Sequence, residues 1–163
     1  MTLESLEQLL VRQLEELYGA EKQGKKTMGR MVRAAQDTGL KNTFETQLNQ
    51  TEQHMKRLEE IFTTIGEKPR TLECRRIDGL MDDCLHAIRE RAEPHVHDVA
   101  LIAVAQFVHH DQIAGYGCAR TWAQLLGHTT AADLLQVTLD EEKASDRQLT
   151  QLAERINPVA MAV

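Results

Sequence analysis

The chain has few of the residues that interrupt helices. It contains nine glycines and three prolines in 163 residues, and aromatic residues make up only 4%. Leucine, alanine, glutamate, glutamine and arginine dominate instead, which is the composition of a helix former. A chain of this length can bury one core but is too short for two ordinary domains. We therefore expect an all-α protein in which residues 1–163 form a single domain.

Several other features are scarce, and each absence excludes a class of protein. The three cysteines are odd in number and lack a Cys-x-x-Cys spacing, which argues against a disulfide framework or a zinc knuckle and favours a cytoplasmic location. A net charge of -6 argues against nucleic-acid binding, which needs a concentrated basic surface. The longest apolar run, from Val99 to Val108, is broken by Gln106, and the first residues do not resemble a signal peptide, so no membrane partner is expected.

Four stretches carry apolar residues at alternating spacings of four and three, which predicts four long amphipathic helices, A to D. Helix A is predicted to have Thr2 as its N-cap and to end at Gly39. Helix B is predicted to stop at Gly66, helix C to end at Gly127, and helix D to begin near Thr129 or Thr130. The tail after Pro158 is expected to be frayed.

The connections between these helices predict the architecture. Helices A and B, and helices C and D, are separated by only a few residues, so each pair should be antiparallel. A shorter helix between Ile77 and Ile88, closed by Pro94, links the two pairs. Two hairpins joined by a long crossover are typical of a ferritin-like four-helix bundle, here with an additional crossover helix between the second and third bundle helices.

Each apolar stripe is interrupted near its middle by a residue that can bind a proton or a metal. These residues are Glu21, His54, His109 and Glu142. Counted from the two hairpin turns, they lie about 15 to 18 residues along their helices, which places them at nearly the same depth at about 1.5 Å per residue. We call these four residues the polar layer and expect them to meet in the core.

The residue types in this layer suit a metal ion. Asp146 lies four residues after Glu142 and shares its helix face, while Gln50 and Gln112 lie close to the two histidines and can donate hydrogen bonds. Mixed carboxylate and imidazole ligation suits iron or manganese better than a structural zinc. The candidate metal ligands are Glu21, His54, His109, Glu142 and Asp146. Their three negative charges match one divalent ion and compensate two poorly, so fewer than two ions per chain are expected.

A layer without metal is the alternative. A single histidine on an apolar face is more often a satisfied core residue than a ligand. In this interpretation Glu21 pairs with His54 and Glu142 pairs with His109, which gives buried ion pairs and no cofactor.

At these residues the chain resembles the YciE/YciF family of ferritin-like proteins, over roughly residues 3 to 155. The matching stretches are Tyr18 to Gln23, Thr51, Arg57 to Glu59, Phe62, Cys74, Ile113 to Gly117, and Thr138 to Asp146. The resemblance implies a ferritin-like bundle, usually a homodimer, with a carboxylate-rich site for two metal ions and a role in bacterial stress.

The chain departs from the family pattern at the site. Gln47 and Gln50 stand where the family tends to have His-x-x-Glu, and His109 and Gln112 stand where it tends to have Glu-x-x-Glu. Replacing glutamate by glutamine removes charge and the ability to bridge two ions. The sequence therefore predicts a stress-associated protein with a reduced carboxylate and histidine metal site that handles iron or peroxide. The alternatives are a metal-free structural or interaction protein and an active dimetal oxidase or peroxidase; the sequence does not choose among the reactions.

Overall fold

A computed structural model describes residues 3–163 and places five helices in this part of the chain. They are α1 (Leu6–Ala34), α2 (Thr38–Thr64), α3 (Arg75–Arg89), α4 (Pro94–Leu125) and α5 (Thr129–Met161). No strand occurs among the described residues, which confirms the prediction of an all-α fold. None of these helices combines the length and the apolar character needed to cross a lipid bilayer.

The four long helices form a ferritin-like bundle of two hairpins. Helix α1 packs against α2, and α4 packs against α5, while α2 to α5 and α1 to α4 contacts join the hairpins. The shorter helix α3 lies across α1 and α4 and connects the two hairpins. The predicted crossover helix is therefore confirmed, together with the bundle.

The turn between α1 and α2 differs from the prediction. Helix α1 begins after Ser5, whose side chain accepts a hydrogen bond from the Gln8 backbone N–H, so the helix starts later than predicted. The predicted N-cap, Thr2, lies outside the described residues. The helix ends at Ala34, and Gly39 lies in the first turn of α2. Helix α2 starts before Gly39 because Asp37 is its N-cap, and the Asp37 side chain accepts a hydrogen bond from the Leu40 backbone N–H.

The other boundaries follow simple backbone chemistry. Gly66 and Gly127 have φ angles of 76° and 81°, and both end helices as predicted, because glycine adopts the left-handed region without a steric penalty. Pro94 does not close α3 but occupies the first turn of α4, where a missing N–H costs nothing. Helix α5 continues through Pro158 to Met161, so the frayed tail predicted after Pro158 is not seen.

The polar layer lies between two apolar clusters. One cluster contains residues from the start of α1, the end of α2, the end of α4 and the start of α5, including Leu14, Phe62 and Leu135. The second contains residues from the opposite ends of the same helices, including Phe44 and Leu149. Apolar packing above and below therefore excludes bulk water and leaves the polar side chains to pair with one another.

Candidate metal centre

All four residues of the polar layer are buried and meet in one chain of contacts. His54 Nδ1 lies 3.2 Å from Glu21 Oε1 and 3.2 Å from Glu142 Oε1. The second oxygen of Glu142 lies 2.6 Å from His109 Nδ1. The layer thus alternates carboxylate and imidazole in the order Glu21, His54, Glu142, His109.

His54 is the central member because both of its ring nitrogens contact carboxylates. Its Nε2 lies 2.8 Å from Glu141 Oε2, on the side away from the layer. A neutral imidazole carries one N–H, so two carboxylate contacts are both satisfied only by the doubly protonated ring. In the metal-free protein His54 is therefore an imidazolium, whose single positive charge offsets part of the negative charge of the surrounding carboxylates.

The pKa values of the layer follow from burial and these contacts. Burial alone would lower the pKa of His54, but hydrogen bonds to Glu142 and Glu21 and their charges outweigh it and raise the pKa to about 10. Burial alone would raise the pKa of Glu142, yet hydrogen bonds from His109 and His54 hold it at about 2. For Glu21 burial prevails and raises the pKa despite the hydrogen bond from His54.

A buried tyrosine also faces the layer. The Tyr116 hydroxyl donates a 2.7 Å hydrogen bond to Glu21 Oε1, the same oxygen that His54 approaches. Burial and the nearby Glu21 charge raise the pKa of Tyr116 well above its ordinary value. Tyr116 therefore remains a neutral donor that orients the Glu21 carboxylate.

A cavity of about 40 Å³ adjoins the layer and is lined by Glu21, His54, His109 and Glu142 together with several amide and apolar side chains. Some buried polar atoms beside it have no hydrogen-bond partner among residues 3–163, namely His109 Nε2, both amide atoms of Gln47 and Gln112 Oε1. Unpaired buried polar atoms are costly, so they indicate a place for polar ligands or ordered water.

The remaining predicted residues have other partners. Asp146 Oδ1 accepts a hydrogen bond from Gln106 and lies 3.2 Å from Nε2 of the exposed His110, at the edge of the α4 and α5 seam. It does not line the cavity beside the layer. Gln50 accepts a hydrogen bond from Ser145, so its amide oxygen is held by α5.

Three side chains of the layer fit the coordination of a metal ion. Glu21, His54 and Glu142 each offer one ligand atom, and the three atoms lie within 4.8 Å of one another. Two ligands that bind one ion at about 2.1 Å lie about 3.0 to 3.4 Å apart in octahedral or tetrahedral geometry. The observed separations of 3.2 Å between His54 Nδ1 and each carboxylate fall in this range. Two carboxylates also balance one divalent charge, so the residues fit one ion.

Sequence reasoning missed three residues that shape this site. Glu141 and Tyr116 contact members of the layer, and Arg57 binds Glu141. Tyr116 belongs to the apolar stripe of predicted helix C. A tyrosine hydroxyl that is buried needs a hydrogen-bond partner, so the sequence did contain a sign of its role. Glu141 and Arg57 lie beside the buried faces, and only the packing of α2 against α5 brings them together.

Residues 5–161 match the family described as Domain of unknown function (DUF892). The chain is 34% identical over 154 residues to the protein YciF of Escherichia coli strain K12, covering 94% of this chain and 93% of that protein.

Solved structures of YciF and YcfI resemble this one. The crystal structure of the E. coli stress protein YciF superposes with a TM-score of 0.93 at 33% identity and covers 96% of this chain and 99% of that one. YcfI from Rhodopseudomonas palustris gives a TM-score of 0.87 at 35% identity, with 90% of this chain and 94% of that one covered. These matches confirm the resemblance to YciF that the sequence motifs indicated.

Proposed function

The chain belongs to the DUF892 family, and we propose that its polar layer binds one divalent transition-metal ion, iron or manganese, through Glu21, His54 and Glu142. The observation that carries the proposal is that His54 Nδ1 lies 3.2 Å from an oxygen of Glu21 and 3.2 Å from an oxygen of Glu142, which matches two edges of a single coordination sphere. Of the five ligands predicted from the sequence, these three are retained.

His109 and Asp146 take other roles in this proposal. His109 holds Glu142 through its 2.6 Å contact and thereby fixes the direction of the carboxylate. Asp146 stays with Gln106 and His110, outside the ligand group. The carboxylates of Glu21 and Glu142 balance the charge of one divalent ion. A second ion in the layer would therefore have no anionic ligand of its own.

The biological role proposed is in bacterial stress, through iron or peroxide handling by a cytoplasmic homodimer. Two features support it: the similarity to E. coli YciF, which is described as a stress protein, and a donor set that suits redox metals. A bound ion of this kind supplies one-electron chemistry in a site from which water is largely excluded. The net charge of -6 gives no support for nucleic-acid binding.

Elemental analysis tests the proposal directly. Protein purified without chelator and loaded aerobically with iron or manganese should retain about one ion per chain, and Glu142→Gln should retain far less. Asp146→Asn serves as the matched control, because it removes a carboxylate of the same helix that lies outside the ligand group. Absence of stoichiometric iron, manganese and zinc from the wild-type protein would refute it.

A second candidate is a metal-free structural or interaction protein with a buried ionic layer. It is favoured by one observation, that both nitrogens of His54 and both oxygens of Glu142 already have partners. Buried ion pairs are often replaceable by apolar residues without loss of stability. Simultaneous Glu21→Leu and His54→Met replacement should then keep or raise the melting temperature. A large loss reversed only by added metal would count against this candidate.

A further inference from the structure

On the side of His54 that faces away from the polar layer, Glu141 and Arg57 form a two-point ion pair. Arg57 Nη1 lies 2.6 Å from Glu141 Oε2, and Nη2 lies 2.8 Å from Oε1. The same Oε2 lies 2.8 Å from His54 Nε2. Arg57 also donates a hydrogen bond to the Thr138 hydroxyl at 3.2 Å, which ties the pair to α5.

We propose that Glu141, held by Arg57, is a positioning residue that fixes the His54 ring with Nε2 protonated and Nδ1 directed at the metal layer. The inference rests on the proposed function, since it concerns how His54 is prepared as a ligand. Glu141 touches neither Glu21 nor the cavity beside the layer in the contacts that the structure shows. Its effect on a bound ion therefore passes through His54.

The chemistry of imidazole explains why such a residue is needed. A neutral histidine offers a lone pair on one nitrogen and an N–H on the other, and the partner of the N–H decides which is which. With Glu141 accepting at Nε2, the neutral ring has its lone pair on Nδ1, the nitrogen that lies 3.2 Å from Glu21 and from Glu142. Carboxylates that orient a ligating histidine in this way change metal affinity by roughly 10–100-fold when removed.

Arg57 is needed because Glu141 is not fully buried. The side chains of Glu141 and Arg57 are 29% and 22% exposed to solvent, so water can compete for the carboxylate. The planar guanidinium binds both carboxylate oxygens at once and so fixes the plane of the carboxylate as well as its position. A lysine at this position keeps the charge but cannot make both bonds.

The first part of the test reads the state of His54 without metal. Protein labelled with ¹⁵N at histidine is compared with Glu141→Gln and Arg57→Lys by ¹⁵N–¹H correlation spectra that report ring protonation and the hydrogen bond at Nε2. The His54 signals, assigned from their loss in His54→Gln, should move in Glu141→Gln and move less in Arg57→Lys. Unchanged His54 signals in Glu141→Gln would overturn the inference. A purely structural role of the ion pair would alter the melting temperature but not the Nε2 signal of His54.

The second part measures affinity with Co²⁺ alone as the probe, through its visible absorption on binding. Glu141→Gln should weaken Co²⁺ binding at least 10-fold, and Arg57→Lys should fall between it and the wild type. Glu52→Gln is the matched control, because Glu52 belongs to an exposed 2.8 Å pair with Lys25 and should leave affinity unchanged. Arg57→Met provides an independent disruption if Glu141→Gln fails to fold.

The outcomes separate the inference from the proposed function. If the wild type binds Co²⁺ and Glu141→Gln binds it within twofold of the wild type, the positioning role of Glu141 is wrong while the metal site stands. Equal weakening in Glu52→Gln would also overturn it, because a general charge effect would then be sufficient. If the wild type binds no Co²⁺ at the layer, the proposed function itself fails.

Discussion

The stability of the metal-free protein should depend on pH through His54. Its pKa is about 10 in the folded protein against an ordinary value of 6.5, so folding favours the protonated ring. A group with a raised pKa contributes its full stabilisation below its unfolded pKa and loses it as the pH rises towards its folded pKa. The stabilisation should therefore be complete below pH 6.5 and vanish near pH 10.

The magnitude follows from linkage. Each pKa unit corresponds to about 1.4 kcal/mol, so the full shift amounts to on the order of 5 kcal/mol. Between pH 6.5 and 8.5 the free energy of unfolding should fall by about 2 kcal/mol because of His54 alone. This window avoids Cys84 and Tyr18, whose pKa values burial raises to about 11 and about 12, with a hydrogen bond to Glu59 adding to the shift of Tyr18.

Urea unfolding in the presence of a chelator, followed by circular dichroism at several pH values, measures this slope. His54→Gln removes the titrating ring, so its free energy of unfolding should vary much less over the same window. His110→Gln, at a histidine whose side chain is 67% exposed, should keep the wild-type slope. Equal slopes for the wild type and His54→Gln would refute the assignment of a buried imidazolium.

Three further replacements test other parts of the structure by urea unfolding. Asp98→Ala removes the buried carboxylate that accepts hydrogen bonds from the Gln36 and Asp37 backbone N–H groups, and should cost about 2–4 kcal/mol; a loss below 1 kcal/mol would contradict this anchor. Tyr116→Phe should cost about 1–2 kcal/mol by removing one of the two hydrogen-bond donors of Glu21, and no loss would contradict that bond. Gly127→Ala should cost about 1 kcal/mol from its φ of 81° alone, since no neighbour would touch the added methyl group, and a neutral result would contradict the left-handed turn.

The sequence predicted the features that depend on local patterning. Gly66 and Gly127 ended helices as expected, because a positive φ is a local requirement that glycine meets. The meeting of Glu21 with His54, and of Glu142 with His109, was also predictable, since helical rise converts residue counts into depth.

The features that the sequence did not predict depend on contacts between distant elements. The turn after Ala34 is held by hydrogen bonds to Asp98, which is more than 60 residues away along the chain. No local sequence pattern predicts that contact. Asp146 shares a helix face with Glu142 but turns to α4, where Gln106 and His110 compete for it. Glu141 lies beside the buried face of α5. Its role depends on the contact with Arg57, which lies on α2.

The most direct test of the single-ion site is anomalous scattering from crystals grown with Mn²⁺. One peak per chain should lie within bonding distance of Glu21, His54 Nδ1 and Glu142, and no second peak should lie in the layer. An empty layer, two peaks in it, or a single peak beside Asp146 instead would contradict the account.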